Sequence, residues 1–567
     1  MYRRESIRPE LNPKYQPLCR PEVKVTQHLF GEDLGKLVKD MTEQQKAVAV
    51  TKMGTMKFKE LRYAPYPGSQ AKPTYAGAGG HVIISYIDDT LIIGDSKERV
   101  VQAVCDTKEI LSRLGFVIHP EKSRFEPSQQ LTFLGFDIKS DTMTVRPTER
   151  KVTEIREFAL KLLRKSIVTI RQLACFIGKV VATLPACEHG KMHYRALERD
   201  KICNLRTHRG NYDASVTLTV AAKENLVWWK ENIQSAIRHL NRRKPDIELS
   251  SDASGSGWGG TDNKAQCGGR WKQSESLANG NNINYLELLA AFFTLKAFCK
   301  DKRGIHVLMR IDNTTAVSYI NEMGGIKSKE CDELAQILWN WCIEHDIWVT
   351  AAHLPGVENV IADRRSRHFR DETEWMLNPK LFRELCNSMG TPNIDLFASR
   401  LNNQLPIYVS WQPDPGALAI NAFTLDWGEF EFYAFPPFCI INRCLQKVVE
   451  DKAEGIMIVP KWATQSWFPR LLQLLIEVPI VLPQNEQTLI QPETGRIHPL
   501  CKKLFLLACR LSWNPSRQKE FRNRLDLSFW PHGGHQPGSS TSLSSGDGFT
   551  FVMDGRQIHC KHMLGRF

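Results

Sequence analysis

Apolar residues recur every three or four positions at Val152, Ile155, Phe158, Ala159, Leu162 and Leu163. This spacing predicts a helix with one buried stripe, and TIRQLACFIGKVVATL predicts a second directly after it. Upstream the pattern shortens to strands. HVIIS and TLIIG are β-rich apolar runs on either side of Asp88 and Asp89, as in a hairpin with acids at its tip. The amphipathic RVVQAVCDTKEILSRLG follows as a helix, and LTFLGFDI as a strand pair. Residues 1 to about 75 are richer in Pro, Lys and polar side chains, with one expected helix at GEDLGKLVKDMTEQQKAVAV, and read as a poorly ordered arm.

After Pro245 a compact α/β pattern runs to about Phe369. DIELSSDASGSGWGG predicts a strand ending at Asp252, then small residues that let the chain turn into the next strand. NINYLELLAAFFTLKAF predicts a helix that carries Glu287, with Leu286, Leu289, Ala290, Phe293 and Ala297 on its apolar face. HVLMRIDNTTAVSYI predicts a strand ending at Asp312, and Asn313 and Thr314 open a helix. AAHLPGVENVIADRRSR places His353 in a turn ten residues before Asp363, where Asn359 and Asp363 begin another helix. A further α/β stretch runs from about Asn393 to Pro483, and HGGHQPGSSTSLSSGDG is expected to be disordered. No internal repeat is present in the sequence.

At roughly 150 residues per domain, 567 residues suggest three or four folded units, and 42% apolar content excludes a wholly disordered chain. The most apolar stretch, RLLQLLIEVPIVLP, contains Arg470, Glu477 and two prolines, so no membrane span is expected. MYRRESIRPELNPKY lacks the apolar core of a secretory signal. An intracellular protein, cytoplasmic or nuclear, is therefore expected. The 15 cysteines form no CxxC pair and read as reduced thiols, and HCKH at 559–562 is too short to imply a metal. The net charge of +13 is concentrated: residues 146–244 hold 21 Lys or Arg against 9 Asp or Glu. A solvated helix face is the ordinary meaning of a charge run, but this imbalance points to a polyanion partner.

Asp88 and Asp89 repel each other unless a cation holds them, although an Asp-Asp turn alone is unremarkable. The second acid set is more telling. Asp252, Glu287, Asp312 and Asp363 come from four elements, each at a strand end or on a helix suited to face one, as a pair of Mg²⁺ ions would require for phosphodiester hydrolysis. Singly, each would read as a solvated turn or a helix cap.

The order YIDD hairpin, helix, Lys122 turn and FLGF hairpin resembles the palm of a reverse transcriptase. That resemblance implies that Asp88 holds a catalytic Mg²⁺ beside Asp89, that Lys122 assists the departing pyrophosphate, and that 146–244 is thumb and connection. A further palm carboxylate should arrive upstream. Asp33 and Asp40 lie in a polar helical context and only about 80 residues precede YIDD, so no template-directed synthesis is expected from this chain alone. A second Pol chain could supply the missing palm. DASGSGWGG, then Glu287, IDN and HLPGxxNxxAD together resemble ribonuclease H. This implies two Mg²⁺ or Mn²⁺ ions on Asp252, Glu287, Asp312 and Asp363, His353 on a mobile loop assisting proton transfer or product release, and the RNA strand of an RNA–DNA hybrid as substrate.

Beyond residue 370, FEFYAF ending at Pro436, Pro437 and Phe438 resembles the region after ribonuclease H in DIRS-like retrotransposons, which is similar to an adenine methyltransferase. Phe435 departs from that pattern, which has a polar residue before the prolines. Trp411, Trp427, Trp462 and Trp467 are expected in a core.

The whole resembles a DIRS or Ngaro Pol fragment, a multidomain α/β chain. The expected units are 1–77, an arm; 78–145, a partial palm; 146–244, a basic helical thumb and connection; 245–370, a ribonuclease H-like mixed five-stranded sheet with flanking helices; 385–483, a smaller α/β region; and 484–567, a partly disordered tail. Two other functions remain open, an inert nucleic-acid-binding remnant and a DNA adenine methyltransferase.

Overall fold

The computed structural model describes residues 73–76, 81–86, 88–241, 244–277, 282–369, 375–492, 494–527 and 548–563. The expected arm and the Ser/Gly-rich stretch thus lie almost wholly outside the described residues. The chain divides into two compact units, Met1–Pro127 and Ser128–Phe567.

In the first unit, β1 (Pro73–Ala76), β2 (His81–Tyr86) and β3 (Asp89–Gly94) form an antiparallel sheet. The β2–β3 register pairs Tyr86 with Asp89, so the two acids lie at the hairpin tip. The helix α1 (Lys97–Arg113) follows, capped by the Ser96 hydroxyl, which accepts from the Arg99 N–H.

The second unit opens with β4 (Gln130–Phe133), β5 (Phe136–Lys139) and β6 (Thr144–Pro147), joined at the edge by β7 (Arg238–His239). Four helices lie between β6 and β7: α2 (Glu149–Leu163), α3 (Ile170–Val181), α4 (Arg195–Thr207) and α5 (Val220–Asn232). Ile155, Ala159 and Leu162 on α2 are buried, the stripe that the spacing predicts. A capping box at Thr169 and Gln172 fixes the start of α3.

Next comes a five-stranded mixed sheet, in the order β10 (Gln266–Arg270), β9 (Gly257–Thr261), β8 (Ile247–Ala253), β11 (Ile305–Ile311), β12 (Ile347–His353). β8, β11 and β12 are parallel to one another, and β9 and β10 are added antiparallel. α6 (Ile283–Cys299), α7 (Thr314–Asn321) and α8 (Lys329–Glu344) pack with this sheet in one core, and α9 (Val360–Arg367) lies over β9. Two glycines permit these approaches. A Cβ on Gly259 would lie 2.7 Å from Arg365 Cβ and from the Ser366 nitrogen, and one on Gly260 would meet the Thr294 side chain.

The basic helices are tied to this core. Met192 is part of it, and Arg199 meets Asp332, whose side chain is wholly buried, at 2.5 Å. Lys191 and Arg195 pair with Glu322. Part of the charge in 146–244 therefore neutralises acids of the neighbouring domain. Lys161, Arg164 and Lys165, at the end of α2, are exposed and form no ion pair among the described residues.

The last domain is wider than the expected 385–483. Its sheet runs β13 (Ile394–Asp395), β14 (Glu431–Ala434), β15 (Glu454–Pro460), β17 (Leu506–Ser512), β16 (Ile480–Val481), β18 (Lys561–His562). Ile456 and Ile458 meet one cluster, with α10 (Pro379–Met389), while Met457 and Val459 meet another, with α11 (Ile441–Glu450). Covering on both faces explains why β15 reads as a continuous apolar run. The assignment of 484–567 to a tail is thus corrected, because Leu506–Ser512 is an interior strand. The boundary at 385 also moves upstream, since α10 supplies Leu381 and Phe382 to the core. Trp427 and Trp467 are buried as expected, but Trp411 and Trp462 are exposed. Arg400 clasps the two α/β domains, pairing with Glu275 at 2.5 Å and lying over the Phe293 ring. Among the described residues no helix is long and apolar enough to cross a membrane.

Candidate metal centre

Strand pairing places the first two acids side by side. Ser251 of β8 is level with Ile311 of β11, so the residues that follow them, Asp252 and Asp312, stand together at one end of the parallel strands. Glu287 arrives from α6, a helix buried on nearly all sides. Oxygens of Asp252, Glu287 and Asp312 lie within 4.8 Å of one another, the one such acid, Cys or His group found among the described residues.

The environment makes these carboxylates costly as anions. Burial, reinforced by the charges of Asp252 and Asp312, pushes Glu287 up to about 9, against the Ala253 backbone N–H, which favours the anion. Burial likewise pushes Asp252 up to about 6, although the Ser366 hydroxyl opposes the shift. Glu287 Oε2 is buried without a hydrogen-bond partner. Three converging acids with an orphaned oxygen fit one or more hard divalent cations, which bind oxygen ligands and offset the repulsion.

The fourth expected ligand stands apart from this group. Asp363, on α9, pairs with Arg367 at 2.7 Å, though its charge still acts on Asp252. Arg367 is the cation facing the acids, and its guanidinium is held above its ordinary range by Asp363. His353 is the last residue of β12, level with Ile311, which corrects its placement in a turn: the strand continues through Ala351 and Ala352 before Pro355 ends it. Asn359 is buried and donates to the Ser251 carbonyl at 2.9 Å, anchoring the start of α9 to β8.

Sequence reading missed Ser366, fully buried, whose hydroxyl donates to Asp252 Oδ2 at 2.6 Å. Its position three residues after Asp363 was the available signal, since i and i+3 share a helix face. Asn313, expected only to open a helix, caps α7 and also donates to Asn284 Oδ1 at 3.0 Å beside the acids.

In the first unit, Asp88 and Asp89 are exposed at their hairpin tip, and Lys122 is exposed in the turn Pro120–Lys122. No hydrogen bond or ion pair joins Lys122 to either acid among the described residues, and no third acid joins Asp88. In the last domain Phe435 packs near Phe438, centroids 6.3 Å apart. A phenyl ring cannot accept a hydrogen bond from an adenine amino group as the expected polar residue would. His559 of HCKH meets Thr550 at 3.0 Å and belongs to no metal-ligating group among the described residues.

Residues 60–138 match the family model for reverse transcriptase (RNA-dependent DNA polymerase). That stretch of the chain is similar to reverse transcriptases. The chain is similar to the enzymatic polyproteins of cauliflower mosaic virus, 25% identical over 309 residues to that of strain NY8153 and over 312 to that of strain D/H, in each case covering 50% of this chain. It spans only 40% and 41% of those two proteins. Among solved structures it is similar to a foamy viral protease-reverse transcriptase in complex with double-stranded DNA, with 15% identity, 48% of this chain and 46% of that chain covered, and a TM-score of 0.25. RNase H1 from the archaeon Halobacterium salinarum NRC-1 is also similar, with 16% identity, 21% of this chain and 92% of that chain covered, and a TM-score of 0.17. Both scores are below the level that shows a shared fold.

Proposed function

We propose that this is a Pol protein of the DIRS or Ngaro kind whose 245–370 domain is a ribonuclease H, cutting the RNA strand of RNA–DNA hybrids. The observation that carries this reading is the convergence of Asp252, Glu287 and Asp312 from two strand ends and a buried helix. With Asp363 they would hold two Mg²⁺ or Mn²⁺ ions, which when bound supply a nucleophilic hydroxide and stabilise the leaving oxygen. The chain's own part is to hold the acids in register, exclude bulk water around Glu287, and offer His353 as a proton carrier at the rim.

Residues 78–145 act in this reading as part of a palm, with Asp88, Asp89 and Lys122 in the polymerase roles. No template-directed synthesis is expected in this reading from this chain alone, and a second Pol chain is the candidate source of the further palm carboxylate. Residues 146–244 serve as thumb and connection. The test is cleavage of a labelled RNA–DNA hybrid with Mg²⁺ or Mn²⁺ by the full chain, and its loss on Asp312→Asn. Intact RNA under both metals with the native protein would sink the ribonuclease reading and favour an inert binding protein.

The exposed Lys161, Arg164 and Lys165 are the proposed backbone grip. Replacing all three by Ala should weaken duplex binding for any sequence and flatten the plot of log affinity against log salt by up to about 0.9 for each phosphate no longer neutralised. An unchanged slope would move the grip elsewhere.

A further inference from the structure

We propose that Ser366 is a positioning residue that fixes the Asp252 carboxylate for metal binding; this rests on reading the three acids as a metal centre. Three observations place it there. Ser366 is wholly buried, and its hydroxyl donates to Asp252 Oδ2 at 2.6 Å. Within a helix a serine normally turns its hydroxyl back on a preceding carbonyl, and here the Asp363 carbonyl is available at 2.9 Å. The ionised carboxylate is the stronger acceptor, so the proton goes to Asp252.

The second observation is a return tie. The Ser366 carbonyl accepts from the Ser254 hydroxyl at 2.6 Å, and Ser254 is two residues beyond Asp252. Ser254 is itself fixed: its hydroxyl accepts from the Gly257 N–H at 3.1 Å, and its carbonyl accepts from Trp271 Nε1 at 2.8 Å. The end of β8 and the last turn of α9 are therefore latched in both directions. The third is the bare backbone of Gly259, which lets α9 come close enough for the hydroxyl to reach. Partners that orient metal ligands are typically worth 10–100-fold in metal affinity or activity.

The test uses the full chain and Mn²⁺, with free ion counted by electron paramagnetic resonance and hybrid cleavage measured alongside. Ser366→Ala and Ser366→Cys are expected to raise the Mn²⁺ concentration at half occupancy about tenfold. The melting temperature in EDTA should change little. Cysteine nearly keeps the volume and loses the strong donor, so it replaces alanine as the readout if the alanine protein does not fold. In an Asp252→Asn background, Ser366→Ala should have no further effect on Mn²⁺ binding, which a merely structural serine would not produce. Native Mn²⁺ midpoints in both single variants would overturn the proposal, as would additive losses in the double variant. If the native protein binds Mn²⁺ but leaves the hybrid intact, the ribonuclease reading falls and the role of Ser366 is decided by the binding midpoints. If it binds no Mn²⁺, both fall.

Discussion

Glu287→Gln is expected to abolish hybrid cleavage while making the metal-free protein more stable. The carboxylate is 4% exposed, faces two other acids, and has one oxygen with no partner. Its folded-state pKa is raised to about 9 from 4.5, so the stability it permits is fully present below the unfolded value and is lost as pH rises through about 9. Gln has nearly the same shape and no charge to desolvate. The native protein in EDTA should therefore lose a few kcal/mol between about pH 5 and pH 9, and the Gln variant less. Added Mg²⁺ should reverse the order, raising the melting temperature of the native protein and leaving the variant nearly unmoved. Cleavage should fall at least about 100-fold, beyond the loss expected when only an outer partner of a metal ligand is removed. A variant that melts below the native protein at pH 9 in EDTA would show that Glu287 is not a burdened anion.

Arg199→Ala should be the most damaging change away from the acids. It leaves the Asp332 carboxylate, 0% exposed, with only the Gly325 N–H and Gln336 as donors. Removing one partner of a buried ion pair costs about 3–5 kcal/mol, because the remaining charge stays buried. Arg199 is partly exposed, so the lower end applies, about 3 kcal/mol by urea unfolding. Replacing both residues with apolar ones of similar volume should be milder. An unchanged urea midpoint for Arg199→Ala would mean that the basic helices and the five-stranded domain are not joined through this pair.

The acids of the centre were legible because each stands where one pattern gives way to another. Asp252 and Asp312 end apolar runs of period two, and Glu287 interrupts an apolar helix. What the sequence could not display is who meets whom at a distance. Arg199 and Asp332 are 133 residues apart, and no local spacing tells a cation paired within the protein from one left for a phosphate. Ser366 was hidden for the same reason: a serine in a helix is ordinary until a strand 114 residues away presents a carboxylate to it. His353 was misplaced by the turn residues after it, when sheet pairing carried the strand one step further. The last domain was cut short because its interior strand comes from a distance: β17 returns after Pro483 to pair with β15.

The place of β17 has a consequence for how this protein is made. It is synthesised after β15 and β16 yet lies between them in the sheet. Until residue 512 has left the ribosome, the apolar strand GIMIVP has an open edge, and the two strands beside the gap must stay apart for the third to enter. An unpaired apolar edge is a template for pairing with other chains. Maturation of the C-terminal domain is thus a race between completion of the chain and capture of that edge, and a product ending near residue 483 would keep the edge open for good.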